Sequence, residues 1–270
     1  MATLLFYERP VPLNVDVHLK TQLGSLGANA GFAAKTNSIP LAAVEFIDTA
    51  REYPIAFTGQ EGGALFPIAL VGVRQNENLF VTADNHWDGR YIPAFVRRYP
   101  FVLAEKQGAD DFNVYIDEAY PGFGAADGER LFTDQGEHTP LLKQALEFLS
   151  TYQGEIARTR QLVDRLQSLG LLIPRVLEVV RSNEPPLVLQ GFSVVDEQRL
   201  ADLADADLLA LAREGYLALI HAHLGSLGNV SRLSERLGAR LTPPAPAPEE
   251  TAESAQSSKK KRSNSKEAQS

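Results

Sequence analysis

The sequence predicts an α+β protein: a mostly antiparallel sheet from about residue 53 to 133, packed by a long α-helix and a C-terminal helical region. Three observations predict it. Short runs of β-formers bounded by polar turn residues occupy 53–133. A seven-residue apolar repeat follows Thr139, and a second stretch of helical spacing follows Asp205.

The first forty residues are rich in loop formers, with Pro10, Pro12, Gly24, Gly27, Gly31 and Pro40. Tyr53–Phe57 reads as a short strand. Pro67–Val73 and Leu79–Ala83 flank the polar turn Arg74–Asn78 and read as a hairpin. Phe101–Ala104 and Phe112–Asp117 read as a second hairpin around the loop GADD (108–111). The stretch between the hairpins, YIPAFVRRYP (91–100), is too short and mixed to assign.

At Thr139 the period changes. Threonine caps a helix, and Pro140 suits its first position. Leu142, Ala145, Leu149, Tyr152, Ile156, Thr159, Val163 and Leu166 then alternate spacings of three and four, up to Gly170 as a C-cap. This predicts a helix of about 45 Å whose apolar seam must be covered. A second helix of the same chain is the first expectation, and self-association through the 139–170 helix is the alternative. Leu187–Val195 reads as a strand returning to the sheet, and Asp196 caps a helical turn through Leu203. Asp205 caps a helix from Ala206 to at least Leu224. Gly225 and Gly228 weaken it, and Val230, Leu233 and Leu237 resume its spacing.

Residues 1–241 are expected to form one domain. The segment 242–270 is Pro-, Ala- and Ser-rich without a large apolar residue, and is expected to be a disordered tail carrying a basic KKKR run. The chain has 270 residues and a formal charge of −8, and the tail contributes none of the acidity. An acidic body argues against nucleic acid as the main domain's partner. The absence of cysteine excludes disulfides, thiolate metal sites and a cysteine nucleophile. The apolar start is interrupted at Glu8–Arg9, and no window is long and apolar enough to span a bilayer. The expectation is a soluble cytoplasmic protein without membrane insertion, with export by a route that reads no N-terminal signal as the alternative.

Sequence motifs for nucleotide and serine-hydrolase chemistry are missing: neither a P-loop, nor G-x-G-x-x-G, nor G-x-S-x-G occurs. His86 and Asp88 form an H-x-D pair, and with His138 or His223 they would make a two-histidine, one-carboxylate iron site. The competing expectation is a surface turn with Trp87 folded onto the core. His221 and His223 lie on a helix, where positions two apart point away from each other. One is expected to be buried and hydrogen-bonded, the other near solvent. His18 is expected to pack or to bind backbone. Arg97 and Arg98 are flanked by Phe95, Tyr99 and Phe101. Such arginines stack on rings or clamp carboxylates, here Asp117 and Glu118. With Trp87 and Arg90 they form the candidate ligand-binding set.

The chain also resembles the bacterial SapC family. The resemblance is carried by FYERPVPLN (6–14), FAAKTNSIPLAAVEF (32–46), REYPIAF (51–57) and LVGVRQNENLFV (70–81). It continues through WDGRYIPAFVRRYPF (87–101), GFSVVDEQRL (191–200) and HAHLGSLGN (221–229), covering roughly 6–238. The family takes its name from a protein linked to a paracrystalline bacterial surface layer. The resemblance therefore implies a non-enzymatic protein associated with a surface layer or cell envelope. It brings no catalytic residues and no cofactor. The alternative is a cytoplasmic binding or accessory protein for a small anionic or peptide ligand, and a metal-dependent iron oxygenase is a third reading.

Overall fold

The computed structural model describes residues 5–24, 29–59, 63–105, 112–181 and 184–241. The GADD loop and the 242–270 tail of the sequence reading lie outside them. The chain divides into two units, Met1–Leu237 and Gly238–Ser270. The fold below is that of the first.

The architecture is α+β, but the strands among the described residues form three sheets rather than one. In the first, β1 (Pro10–Pro12) pairs antiparallel with β7 (Phe112–Asp117), which pairs with β6 (Phe101–Glu105). The β6–β7 hairpin is the second one expected from the sequence. A five-stranded antiparallel sheet has the order β3 (Ser38–Pro40), β5 (Leu65–Leu70), β4 (Ile55–Gly59), β10 (Glu184–Val195), β9 (Leu172–Arg181). A two-stranded ribbon joins β2 (Gln22–Leu23) to β8 (Glu129–Arg130). β10 returns to the sheet as expected, with register shifts at its two prolines and at Gly191, whose φ is +89°.

The first expected hairpin is corrected. β5 pairs with β4, and Leu79–Ala83 is not a strand beside it. One cross-turn bond is kept, from the Leu79 N–H to the Val71 carbonyl, and the rest of the backbone there is held by other groups. The Val71 and Gly72 N–H groups both donate to the Asn37 carbonyl. Asn78 donates to the Ala33 carbonyl and accepts from the Phe80 N–H. Leu79, Phe80 and Val81 are therefore buried from a loop.

The long helix is α4 (Pro140–Ser168), with Pro140 in its first turn and Gly170 beyond its end at φ +65°. The Thr139 hydroxyl accepts the Leu142 N–H at 3.4 Å and donates to the Arg130 carbonyl at 2.7 Å. Thr139→Ala is expected to lower stability by about 1 kcal/mol, read as a drop in the thermal midpoint that Thr139→Ser largely restores. An unchanged midpoint would show the cap to be idle.

The seam of α4 is buried as its spacing requires, but mainly against strands and a turn rather than a second helix. It packs on β5, β6 and the 3₁₀ turn Ala43–Glu45. Thr159, a polar member of the seam, accepts the Ala43 N–H at 2.8 Å. The N-terminal half of α4 (Leu142, Leu149) closes one core, over the three-stranded sheet. The C-terminal half (Tyr152, Leu162, Val163, Leu166) closes the other, over the five-stranded sheet.

The C-terminal helices start with α5 (Glu197–Ala201), preceded by α1 (Val15–His18), α2 (Phe46–Thr49) and α3 (Ala94–Arg97) earlier in the chain. Asp196 caps α5 as expected, accepting from Gln198 and Arg199 N–H. The single helix expected over 206–224 is two, α6 (Asp205–Arg213) and α7 (Tyr216–Ser226). They break at Gly215, which takes the left-handed conformation at φ +77°. Gly225 and Gly228 do not stop the chain, which continues through a 3₁₀ turn into α8 (Val230–Leu241).

Candidate functional site

The stretch left unassigned in the sequence, 91–100, forms α3, and α3 sits where the two cores meet. Phe95 and Val96 belong to one core, Tyr99 and Phe101 to the other. Two buried glutamates position this segment. Glu45 accepts the Ala94 N–H at 2.6 Å, the Tyr91 hydroxyl at 2.8 Å and the Ala42 N–H at 2.8 Å. Glu52 accepts the Arg90 N–H at 2.6 Å and the Tyr91 N–H at 3.1 Å. Backbone amides thus compensate both carboxylates, which leaves the α3 arginines without them.

Arg97 and Arg98 lie against the middle of α4. The Arg97 guanidinium is 5.2 Å from the Phe148 ring and 5.8 Å from Tyr91, and its Nε donates to the Ile92 carbonyl. The Arg98 guanidinium is 3.9 Å from Phe95, 5.5 Å from Tyr152 and 5.9 Å from Tyr7. Its Nε is buried with no acceptor. The expected clamp on Asp117 and Glu118 is corrected. Asp117 is taken by the Glu8, Arg9 and Ala119 N–H groups and the Tyr99 hydroxyl. Glu118 pairs with Arg9 and faces His18 at 3.5 Å. Both arginines stack on rings instead, the other option their aromatic flanks offered.

Three hollows surround the pair. Arg97 lines a cavity of about 230 Å³ with Phe32, Trp87, Val96, Tyr99 and Tyr120. Arg97 and Arg98 share a second of about 230 Å³ against Leu141 and Phe148. Arg98 opens onto a groove of about 550 Å³ along α4. In the first cavity Phe32 and Tyr99 stack with centroids 3.9 Å apart. Trp87 donates from its indole to the Tyr53 hydroxyl and the Tyr91 carbonyl. Burial, and then Asp117, push the Tyr99 hydroxyl far above the ordinary tyrosine range. Burial also raises Tyr120. These phenols stay protonated near neutral pH.

Of the sequence candidates, the structure brings Trp87 and Arg97 to one cavity and sets Arg98 beside it. Arg90 is exposed and lines none of these hollows. His86 is exposed on a turn where Asn85 has φ +64°. Asp88 pairs with Arg236 at 2.8 Å, and Arg236 also stacks 4.0 Å over Phe80. The histidines expected to complete an iron site are engaged elsewhere. His138 packs its ring on Phe132, and the buried His223 accepts the Val195 N–H. Among the described residues no group of three or more metal-binding side chains occurs. His221 is exposed and His18 bonds the Asn14 backbone, as expected. Sequence reading missed Phe32, Tyr99 and Tyr120, whose part in the cavity depends on contacts remote along the chain. Among the described residues no helix is long and apolar enough to cross a membrane.

The family model described as SapC matches residues 13–233, most of the chain. No curated protein and no solved structure matches it.

Proposed function

The chain belongs to the SapC family, and we propose that it acts there as a non-enzymatic binding protein for a small ligand with an anionic group on an aromatic or apolar body. One observation carries this: Arg97 stands at an aromatic cavity with no carboxylate partner among the described residues. Phe32, Tyr99 and Trp87 offer the surface for a flat ligand, and the guanidinium offers a two-pronged donor to its carboxylate or phosphate. The polar groups at this cavity are a guanidinium, the Asn29 carboxamide, an indole and two protonated phenols. Such a set holds and orients an anion but supplies no base poised near neutral pH.

The test is thermal-shift screening with aromatic and aliphatic carboxylates and aryl phosphates, followed by titration of the best binder. Arg97→Ala is expected to weaken that binder about 10- to 100-fold, the loss of one charge-assisted interaction, with the unliganded midpoint lowered only slightly by the loss of its ring and Ile92 contacts. Arg97→Lys, which keeps the charge but not the fork, should fall between. A panel without a binder, or one that Arg97→Ala binds equally well, overturns the reading. Association with a bacterial surface layer is the finer role that the family's name carries. An envelope pool in fractionated cells would join it to this binding role, and a wholly cytosolic pool would part them.

A further inference from the structure

The groove beside Arg98 has a strand edge in it. β3 pairs with β5 only at Ile68–Leu70, and the Leu41 N–H then donates to the Pro67 carbonyl. From Ala43 the chain leaves the sheet as a 3₁₀ turn. On its other side β5 stays paired with β4 as far as Leu65 opposite Gly59. Backbone groups alternate between the two edges of a strand. The Leu70 N–H bonds Pro54 on the β4 side, so Ile68 and Phe66 also face β4. Ala69, Pro67 and Leu65 then face the β3 side. Beyond Leu41, nothing among the described residues takes the outward N–H and carbonyl of Leu65.

That open position lies in the groove of about 550 Å³, whose opposite wall is α4, with Tyr152, Ile156 and Val163. Phe66 is exposed there. The wall from Tyr152 to Asp164 is about 18 Å long at the helical rise. An extended chain of about five or six residues covers that length. Charge is distributed along it. Arg98 stands beside Tyr152, Arg160 follows, and the carboxylate of Asp164 lies farthest along the helix.

We propose that this groove takes an extended peptide that adds as a strand to the Leu65 edge of β5, with its free carboxylate end at Arg98. Main-chain hydrogen bonds give such a site its affinity, and alternate side chains entering the groove give its selectivity. The polarity follows from the charges: a peptide's carboxylate suits the arginine end and its amino end suits Asp164. This proposal uses a different hollow from the Arg97 cavity and stands or falls without it.

The test uses the full chain and a synthetic array of octapeptides ending in free carboxylates, with fluorescence polarisation of the best binder. Selection of apolar residues at alternate positions is expected. Amidating the peptide's terminus, or N-methylating the amide that meets the Leu65 carbonyl, should each weaken binding at least tenfold. Leu65→Pro removes an outward N–H that serves no internal bond, and should do the same. The modified peptides read the same contacts on the unsubstituted chain if that variant folds poorly. Binding of the Arg97 ligand should be unchanged by Leu65→Pro, which keeps the two proposals separable. The proposal is overturned by an array without selection, or by modified peptides that bind as well as the parent. A dimer that Leu65→Pro dissolves, in a chain that binds no peptide, would assign the edge to a second copy and overturn it too.

Discussion

Glu45→Ala is expected to destabilise the protein by about 3–5 kcal/mol. The carboxylate is buried and accepts from the Ala42 N–H, the Ala94 N–H and the Tyr91 hydroxyl. Alanine would leave three donors without an acceptor in a site closed to water, and each such donor costs about 1–3 kcal/mol. Against a usual total of about 5–15 kcal/mol, that is a large fraction of the margin. Glu45→Gln should cost less. Its amide oxygen keeps the acceptor for Ala94 and Tyr91, while its NH₂ confronts the Ala42 N–H. The measurement is the urea midpoint of the three proteins. A loss below about 1 kcal/mol for Glu45→Ala would mean that water replaces the carboxylate, and the clamp on α3 would have to be abandoned. The same variant bears on function. Ala94 is the first residue of α3, so losing its anchor should loosen both arginines and weaken ligand binding in a protein that still folds.

How much of this was legible in the sequence differs by element, and the reason is physical. Helix α4 was legible because its signals are local: Thr139 at the cap, Pro140 in the first turn, the seam and Gly170. What the seam packs on was not, because periodicity defines a buried face and says nothing of its partner. The covering strands come from residues 65–70 and 101–105, and the Thr159 hydroxyl accepts the Ala43 N–H, more than a hundred residues away, while it donates to the Glu155 carbonyl. The misread hairpin has the same origin. Leu79–Val81 is apolar enough for a strand, and its Leu79 N–H does reach the Val71 carbonyl. But the Phe80 N–H goes to the Asn78 side chain, itself held by the distant Ala33, and Asn37 takes the Val71 and Gly72 N–H groups. Among the C-terminal glycines, Gly225 and Gly228 do weaken the helix, which passes through the 3₁₀ turn Leu227–Asn229, but the left-handed break falls at Gly215, which the sequence reading did not single out.

The candidate site was half legible for a related reason. Arginines flanked by aromatics announce stacking, and Trp87 in a polar turn announces an anchored ring. The expected carboxylate partners were chosen by nearness in sequence and charge. Asp117 is instead saturated by backbone amides of the N-terminal strand segment and by Tyr99, which leaves the arginines to the rings. A buried carboxylate whose acceptors are filled by backbone amides has no need of a guanidinium, which is why Arg97 and Arg98 carry no bond to Asp117.

His223 should make the fold sensitive to acid. Its ring lies 5.1 Å from Phe57, is fully buried, and accepts the Val195 N–H at its Nε2, 3.0 Å away. Burial pushes its pKa down to about 4, against a smaller upward pull from the Ile55 backbone. In the unfolded chain it titrates near the usual value of about 6.5. Between these values the unfolded state takes up a proton that the folded state refuses. Its contribution is therefore fully present above about pH 6.5 and lost as pH falls toward 4. The difference amounts to about 3 kcal/mol. Protonation would also turn Nε2 into a donor facing the donor of Val195. Urea unfolding at pH 7.5, 6, 5 and 4.5 should show the wild-type protein weakening steadily. His223→Gln, which retains an acceptor and does not titrate, should start less stable and decline less. The gap between the two proteins should narrow with each step into acid. If their curves stay parallel, His223 is not the group that refuses the proton, and the acid sensitivity of this fold lies with its carboxylates.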